Sequence, residues 1–114
     1  MQENFQPPPP DAIVERKALL QSAISALATV LDPEVGIDIV SAGFIYGIEV
    51  SSDWVHLKMT LTTRSCPMGE SIVSMAQSAL KSAFQDKEVK ISLIWDPPWN
   101  PRMITLDGRA ALGL

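Results

Sequence analysis

The sequence predicts an α+β two-layer sandwich, with two main helices packed on a small mixed three-stranded sheet in the order αββαβ and a short C-terminal helix. Three observations lead there. Two runs carry apolar residues at helical spacing, one from Asp11 to about Leu31 and one after Pro67. Three shorter runs, Phe44 to Val50, Trp54 to Leu61 and Val89 to Trp95, are rich in β-branched and aromatic residues or alternate strictly. A chain of 114 residues, 46% of them hydrophobic, has room for one core and not for two.

Pro7 to Pro10 stand in a row, and such a run neither forms a helix nor pairs in a sheet. Residues 1–10 therefore read as a disordered, proline-rich N-terminal tail, and residues 11–114 as a single domain. Ile13, Leu20, Ile24, Leu27 and Leu31 then recur at helical spacing with Glu15, Arg16, Lys17 and Gln21 between them, which describes an amphipathic helix of about five turns. It has to stop near Leu31, because Pro33 disfavours the helical conformation of Asp32 and has no N–H. Asp32-Pro33-Glu34-Val35-Gly36 is a turn, and Ile37 to Ser41 a short apolar run. The strand from Phe44 to Val50 leads into a hairpin turn at Ser51-Ser52-Asp53. Beyond it Val55, Leu57, Met59 and Leu61 share one face of a strand, and Trp54, His56, Lys58 and Thr60 the other.

Pro67 suits the first position of the second helix, where its missing N–H would have no partner, and Ile72, Met75, Ala76, Ala79, Leu80 and Ala83 follow as the apolar face. Val89, Ile91, Leu93 and Trp95 mark a third strand, which ends in the rigid loop Asp96-Pro97-Pro98-Trp99-Asn100-Pro101. The connection through the second helix is long enough for this strand to run parallel to one strand of the hairpin. Thr105 caps a last helix through Leu112, with Gly108 weakening it.

Composition excludes several classes of function. Nine basic and thirteen acidic side chains give a net charge of −4 without long runs of one sign, so neither nucleic acid nor an anionic membrane is an expected partner. Apolar runs fall short of the ~20 residues of a membrane span, and the N-terminus lacks a signal-peptide layout, so a soluble cytoplasmic protein is expected. One cysteine makes no internal disulfide, in keeping with a reducing compartment.

The chemistry runs through Thr62-Thr63-Arg64-Ser65-Cys66-Pro67. A cysteine just before a proline that opens a helix lies near unpaired N–H groups and the positive end of the helix dipole, both of which favour a thiolate. The alternative is that Cys66 fills a helix entrance as a small hydrophobe, and the stretch alone does not separate the two. A closed zinc site of cysteine and histidine needs four ligands, whereas Cys66 and His56 are the chain's only ones. Carboxylates of Asp32, Glu34, Asp38 or Asp96 are able to complete a mixed site, though nothing in their spacing requires it, and a metal or cluster held through thiolates on Cys66 is shared with another chain. His56 does not reach Cys66, because the strand from His56 to Leu61 alone spans ~17 Å; it reads as an exposed or hydrogen-bonded strand residue. Taken alone, Thr62 and Thr63 are ordinary strand-end residues, and Arg64 is a loop cation able to hold an anion. Asp32-Pro33-Glu34 and Asp96-Pro97-Pro98-Trp99 read as stop signals. Trp99 is either a lid on the core or, with Pro97 and Pro98, a partner-binding loop. No glycine-rich phosphate loop is present.

Six ordered blocks carry a family resemblance: Leu31-Asp32-Pro33-Glu34, Gly36-Ile37 with Ile39-Val40, Gly43-Phe44-Ile45-Tyr46, Met59-Thr60-Leu61-Thr62, Cys66-Pro67, and Trp95-Asp96-Pro97-Pro98-Trp99. Together they resemble the metal–sulfur cluster assembly factors of the SufT and PaaD type, over nearly all of the chain beyond the proline run. The resemblance implies a compact α+β fold and a non-catalytic role in maturing iron–sulfur proteins. It implies Asp32, Glu34, Thr62, Thr63 and Cys66 as the site, with Cys66 ligating a transient iron–sulfur cluster or contacting a client. The implied partners are an assembly scaffold or carrier, apo client proteins and a second copy of the chain. Arg64-Ser65 departs from the proline or glycine frequent there in relatives. The sequence ends at Leu114 without the cysteine-rich extension of phenylacetate-type members, which favours general assembly over dedicated oxygenase maturation. Two other classes compete with this reading: a thiol enzyme using Cys66, and a metal-free adaptor docking through Pro97-Pro98-Trp99.

Overall fold

The computed structural model describes residues 10–114, with side chains from Glu15 onward. The expected N-terminal tail lies outside the described residues except for Pro10, the first residue of helix α1 (Pro10–Leu27). This helix ends earlier than Leu31, and its buried face differs from the one expected. Thr29 N–H donates to Ala26 O and Val30 N–H to Leu27 O, tightening the last turn so that the chain is extended before Pro33. Ala23, Leu27 and Val30 form the buried stripe, whereas Ile24 is 38% and Leu31 62% exposed. Leu31 belongs instead to strand β1 (Leu31–Asp32), which pairs antiparallel with β2 (Ile37–Asp38).

The main sheet has strand order β3 (Ile45–Val50), β4 (Trp54–Met59), β5 (Glu88–Leu93). The first pair is antiparallel and the second parallel, the mixed sheet that the long crossover allows. Ser51 Oγ accepts from Asp53 and Trp54 N–H and closes the hairpin. Val55, Leu57, Met59 and Leu61 are all buried, as their alternation demands. Helices α1 and α2 (Gly69–Ala83) cover this face. The opposite face carries Glu49, His56, Lys58 and Ser92, joined by hydrogen bonding and charge.

Helix α2 starts two residues after Pro67, not at it. Leaving β4, the chain makes successive turns, with Cys66 N–H on Thr63 O and Gly69 N–H on Cys66 O, before it can head back over the sheet. Ile72, Ala76 and Leu80 form the buried stripe. Met75 and Ala83 fall off its edge into solvent, because the 3.6-residue period centres the contact on the i, i+4 series.

The C-terminal segment closes the far end of the core. Helix α3 (Leu106–Ala111) is capped by Thr105, whose Oγ1 accepts from Gly108 N–H at 3.0 Å. Gly108 is a packing requirement rather than a weakness, since a Cβ there would lie 2.8 Å from Ser41 O. Gly43 has φ +81° and lies against the Met103 backbone, so two constraints exclude a side chain at once. Met103 ends a short 3₁₀ turn, Pro101–Met103. The helices thus form one layer and the sheet the other, with the β4–α2 loop at the parallel end of the sheet.

Candidate functional site

The loop between β4 and α2 is pinned at both ends. Leu61 is 4% exposed, and Gly69 approaches it so closely that a Cβ would stand 2.9 Å from Leu61 Cδ1. Between these anchors Thr63, Arg64 and Ser65 are exposed and Cys66 is half-buried. Cys66 opens on a cleft of about 470 Å³ lined by Leu61, Arg64, Glu70, Val73, Leu93 and Trp95, among others. The Arg64 guanidinium lies over the Trp95 ring at 5.0 Å from its centroid, which holds the cation at the rim.

The acidic turn meets this loop from the other side. Asp32 is 1% exposed; its Oδ1 accepts from Glu34 N–H at 2.9 Å and its backbone oxygen from Gly36 N–H at 2.8 Å. The second carboxylate oxygen, Oδ2, is buried without a hydrogen-bond partner. The turn thereby presents Glu34, whose Oε1 accepts from the Thr62 hydroxyl at 2.5 Å across 28 residues of sequence. Thr63 turns inward on its own loop, with Oγ1 at 3.5 Å from Ser65 Oγ.

Of the five residues implied as a site, Glu34 and Thr62 touch directly. Asp32 positions Glu34, and Cys66 is tied to Thr63 through the backbone. The carboxylates do not line the Cys66 cleft; Glu70 supplies its acid and Trp95 its large ring. Neither is among the site residues that the sequence points to: Glu70 lies in the first turn of α2, which begins only at Gly69, and Trp95 reaches the cleft through the parallel register of β5 with β4.

The remaining candidates separate cleanly. His56 Nε2 is 2.8 Å from Ser92 Oγ, and its Nδ1 is 3.6 Å from Glu49 Oε1, on the open sheet face away from the helices. Trp99 donates its indole N–H to Ala42 O at 2.7 Å and packs edge-on to Phe44, with ring centroids 5.7 Å apart. Its ring belongs to the core, while Pro97 and Pro98 are exposed. Tyr46 OH donates to Pro97 O at 2.6 Å and fastens that loop to β3.

Among the described residues no three His, Cys, Asp or Glu side chains converge as a metal site. Iron–sulfur clusters are commonly held by four thiolates, and this chain has one cysteine. One cysteine supplies at most one of those four ligands.

The family model described as iron–sulfur cluster assembly protein matches residues 20–93. The chain is 34% identical over 99 residues to the Fe-S protein maturation auxiliary factor YitW of Bacillus subtilis, covering 86% of this chain and 97% of that one. It is 36% identical over 86 residues to the Fe-S protein maturation auxiliary factor SufT of Staphylococcus aureus, covering 75% and 98%. A crystal structure of a domain of unknown function from Bacillus anthracis matches it with a TM-score of 0.81 at 29% identity, covering 90% and 98%. Sequence and fold agree, and the chain belongs to the iron–sulfur cluster assembly protein family.

Proposed function

We propose that this protein is a non-catalytic auxiliary factor in iron–sulfur protein maturation, in which Cys66 supplies one thiolate to a cluster in transit while a carrier or client supplies the rest. The observation that carries the reading is the setting of Cys66. It is one half-buried thiol at the mouth of an open cleft, on a loop held by Leu61, Gly69 and the Glu34–Thr62 hydrogen bond, with no second thiol in the chain. A ligand set one-quarter complete makes a poor store and a workable handover point, because thiolate exchange can proceed one ligand at a time. Membership of the assembly family and relatives named as maturation auxiliary factors support the role.

The test has two parts. Anaerobic mixing with a loaded carrier should give a visible cluster absorption with iron and sulfide in the complex for the wild type, and lose it in Cys66→Ala. Iron–sulfur enzyme activity should fall in cells carrying Cys66→Ala as the sole copy; undiminished activity there would sink the proposal. The thiol-enzyme alternative lacks a histidine base, since His56, the chain's one histidine, is engaged with Ser92 and Glu49 on the open sheet face. The adaptor alternative loses its aromatic anchor, because Trp99 is spent on Ala42 and Phe44.

A further inference from the structure

The two edges of the main sheet are built differently, and the difference points to an interface. At the β3 edge the register slips between Ile45 and Gly47, and Tyr46, within that slip, is tied to the Pro97 loop. A bulge and a fastened loop are ordinary ways to blunt an edge. Strand β5 has no bulge, and its six residues keep unbroken register with β4.

Hydrogen bonding sets which groups β5 leaves free. Glu88 N–H donates to Asp53 O and Ile94 N–H to Met59 O, so the even-numbered residues turn their backbone groups toward β4. Val89, Ile91 and Leu93 therefore turn their N–H and C=O groups outward, and among the described residues none of these has a recorded partner outside the sheet. Helix α2 does not cover them: between it and the edge lies a cleft of about 350 Å³ lined by Gln77, Lys81, Glu88, Val89 and Lys90.

We propose that β5 pairs antiparallel with β5 of a second copy about a two-fold axis at Val89, joining the two three-stranded sheets into one. Charge chooses this register. Centred on Val89, the pairing sets Glu88 of each copy opposite Lys90 of the other, in the closely spaced non-hydrogen-bonded positions where opposite charges attract. Centred on Lys90, it would oppose two ammonium groups. Centred on Ile91, it would face Lys90 with Ser92 and leave Glu88 against Ile94. Of the three, only the Val89 register gives both charged side chains an opposite charge; across the axis it hydrogen-bonds the outward N–H and C=O of Val89, and it leaves those of Leu93 beyond the paired segment.

The arrangement leaves the Cys66 clefts open, since Leu93 and Trp95 lie beyond the paired segment. It also keeps them apart. Leu93 lies four residues from the axis in each copy, so the two Leu93 positions are roughly 27 Å apart at the strand rise of ~3.4 Å per residue. Two Cys66 thiols so placed do not share one cluster. If the handover reading holds, the remaining ligands then come from a carrier or client and not from the second copy. The interface itself stands independently of that reading.

Sedimentation equilibrium of the full chain tests it. Glu88 and Lys90 are exposed, so their variants keep the fold, which circular dichroism verifies. The wild type should show a concentration-dependent dimer. Lys90→Glu turns both cross-strand pairs into like charges and should raise the dissociation constant roughly ten- to hundredfold. The charge swap Glu88→Lys with Lys90→Glu restores opposite pairs and should recover the dimer. A wild type that stays monomeric throughout, a dimer indifferent to Lys90→Glu, or a swap that fails to recover dimerisation would each overturn the proposal.

Discussion

Two proline-marked loops lie beyond the parallel ends of neighbouring strands, and they behave as opposites. The loop after β5 is fastened at several points: Trp99 to Ala42 and Phe44, Tyr46 to Pro97, and Asn100 Oδ1 accepting from Arg102 N–H. The loop after β4 is anchored at its ends, by Thr62 on Glu34 and by Arg64 over the Trp95 ring, and still leaves Thr63 to Ser65 exposed with Cys66 at a cleft. Both pair proline with a residue of chemical interest, and local composition does not tell them apart. The difference lies in long-range partners. One loop spends its polar and aromatic groups on the core, and the other leaves its thiol free for a ligand from outside.

If that contrast is right, damage to the fastened loop should appear as lost stability. The largest effect is expected for Gly43→Ala. A Cβ there meets the Met103 backbone, 2.7 Å from its carbonyl carbon, at a φ of +81° that penalises any L side chain. Because the obstruction is backbone, it yields only by displacing the segment that follows Trp99. A loss of about 3 kcal/mol or more is expected in urea unfolding. Trp99→Ala comes next, at about 3 kcal/mol, combining lost ring packing with an unpaired Ala42 carbonyl. Trp99→Phe should recover most of the packing and leave about 1 kcal/mol for the hydrogen bond. Near-normal stability in Trp99→Ala would return that loop to the class of exposed contacts.

Much of the fold was legible because it rests on periodicity. The alternation from Val55 to Leu61 and the i, i+4 series Ile72, Ala76, Leu80 mark the buried faces directly. The errors arose where periodicity gives way to a turn. Leu31 continues the helical spacing of Leu27 but is extended, because the turn at Ala28–Val30 has to deliver an extended Asp32 to Pro33. Pro67 satisfies a helix-start rule yet precedes the helix, since the chain must first clear Leu61. The site was legible only as separate pieces. Nothing in the spacing of Glu34 and Thr62 announces a hydrogen bond between them, and Trp95 reaches the Cys66 cleft by way of the sheet's parallel register rather than any local motif.

Among the described residues the Glu34–Thr62 bond is the one long-range side-chain hydrogen bond of the open loop, so its strength sharpens the contrast. Thr62→Val keeps the shape and removes the hydroxyl. The bond is charge-assisted but solvent-exposed, which limits the expected loss to about 1 kcal/mol. A double-mutant cycle with Glu34→Gln separates this coupling from general effects of either change. A coupling near zero would mean that the acidic turn and the cysteine loop are held independently, and that Asp32 and Glu34 do not support the loop through Thr62.

The smallest effect on stability is expected where the largest effect on function is proposed. Cys66 is half-buried and touches the core only at its margin. The loop is positioned by buried Leu61, by the close approach of Gly69, and by backbone bonds from Cys66 N–H to Thr63 O and from Gly69 N–H to Cys66 O. None of these uses the sulfur. Cys66→Ala should therefore stay within about 1 kcal/mol of the wild type, with an unchanged dependence on urea. A loss comparable to that of Trp99→Ala would mean that the sulfur packs as structure, and any functional defect of the variant would then reflect unfolding. An unchanged midpoint with lost cluster handling would instead separate the two loops by role, the fastened one serving the fold and the open one serving chemistry completed by another chain.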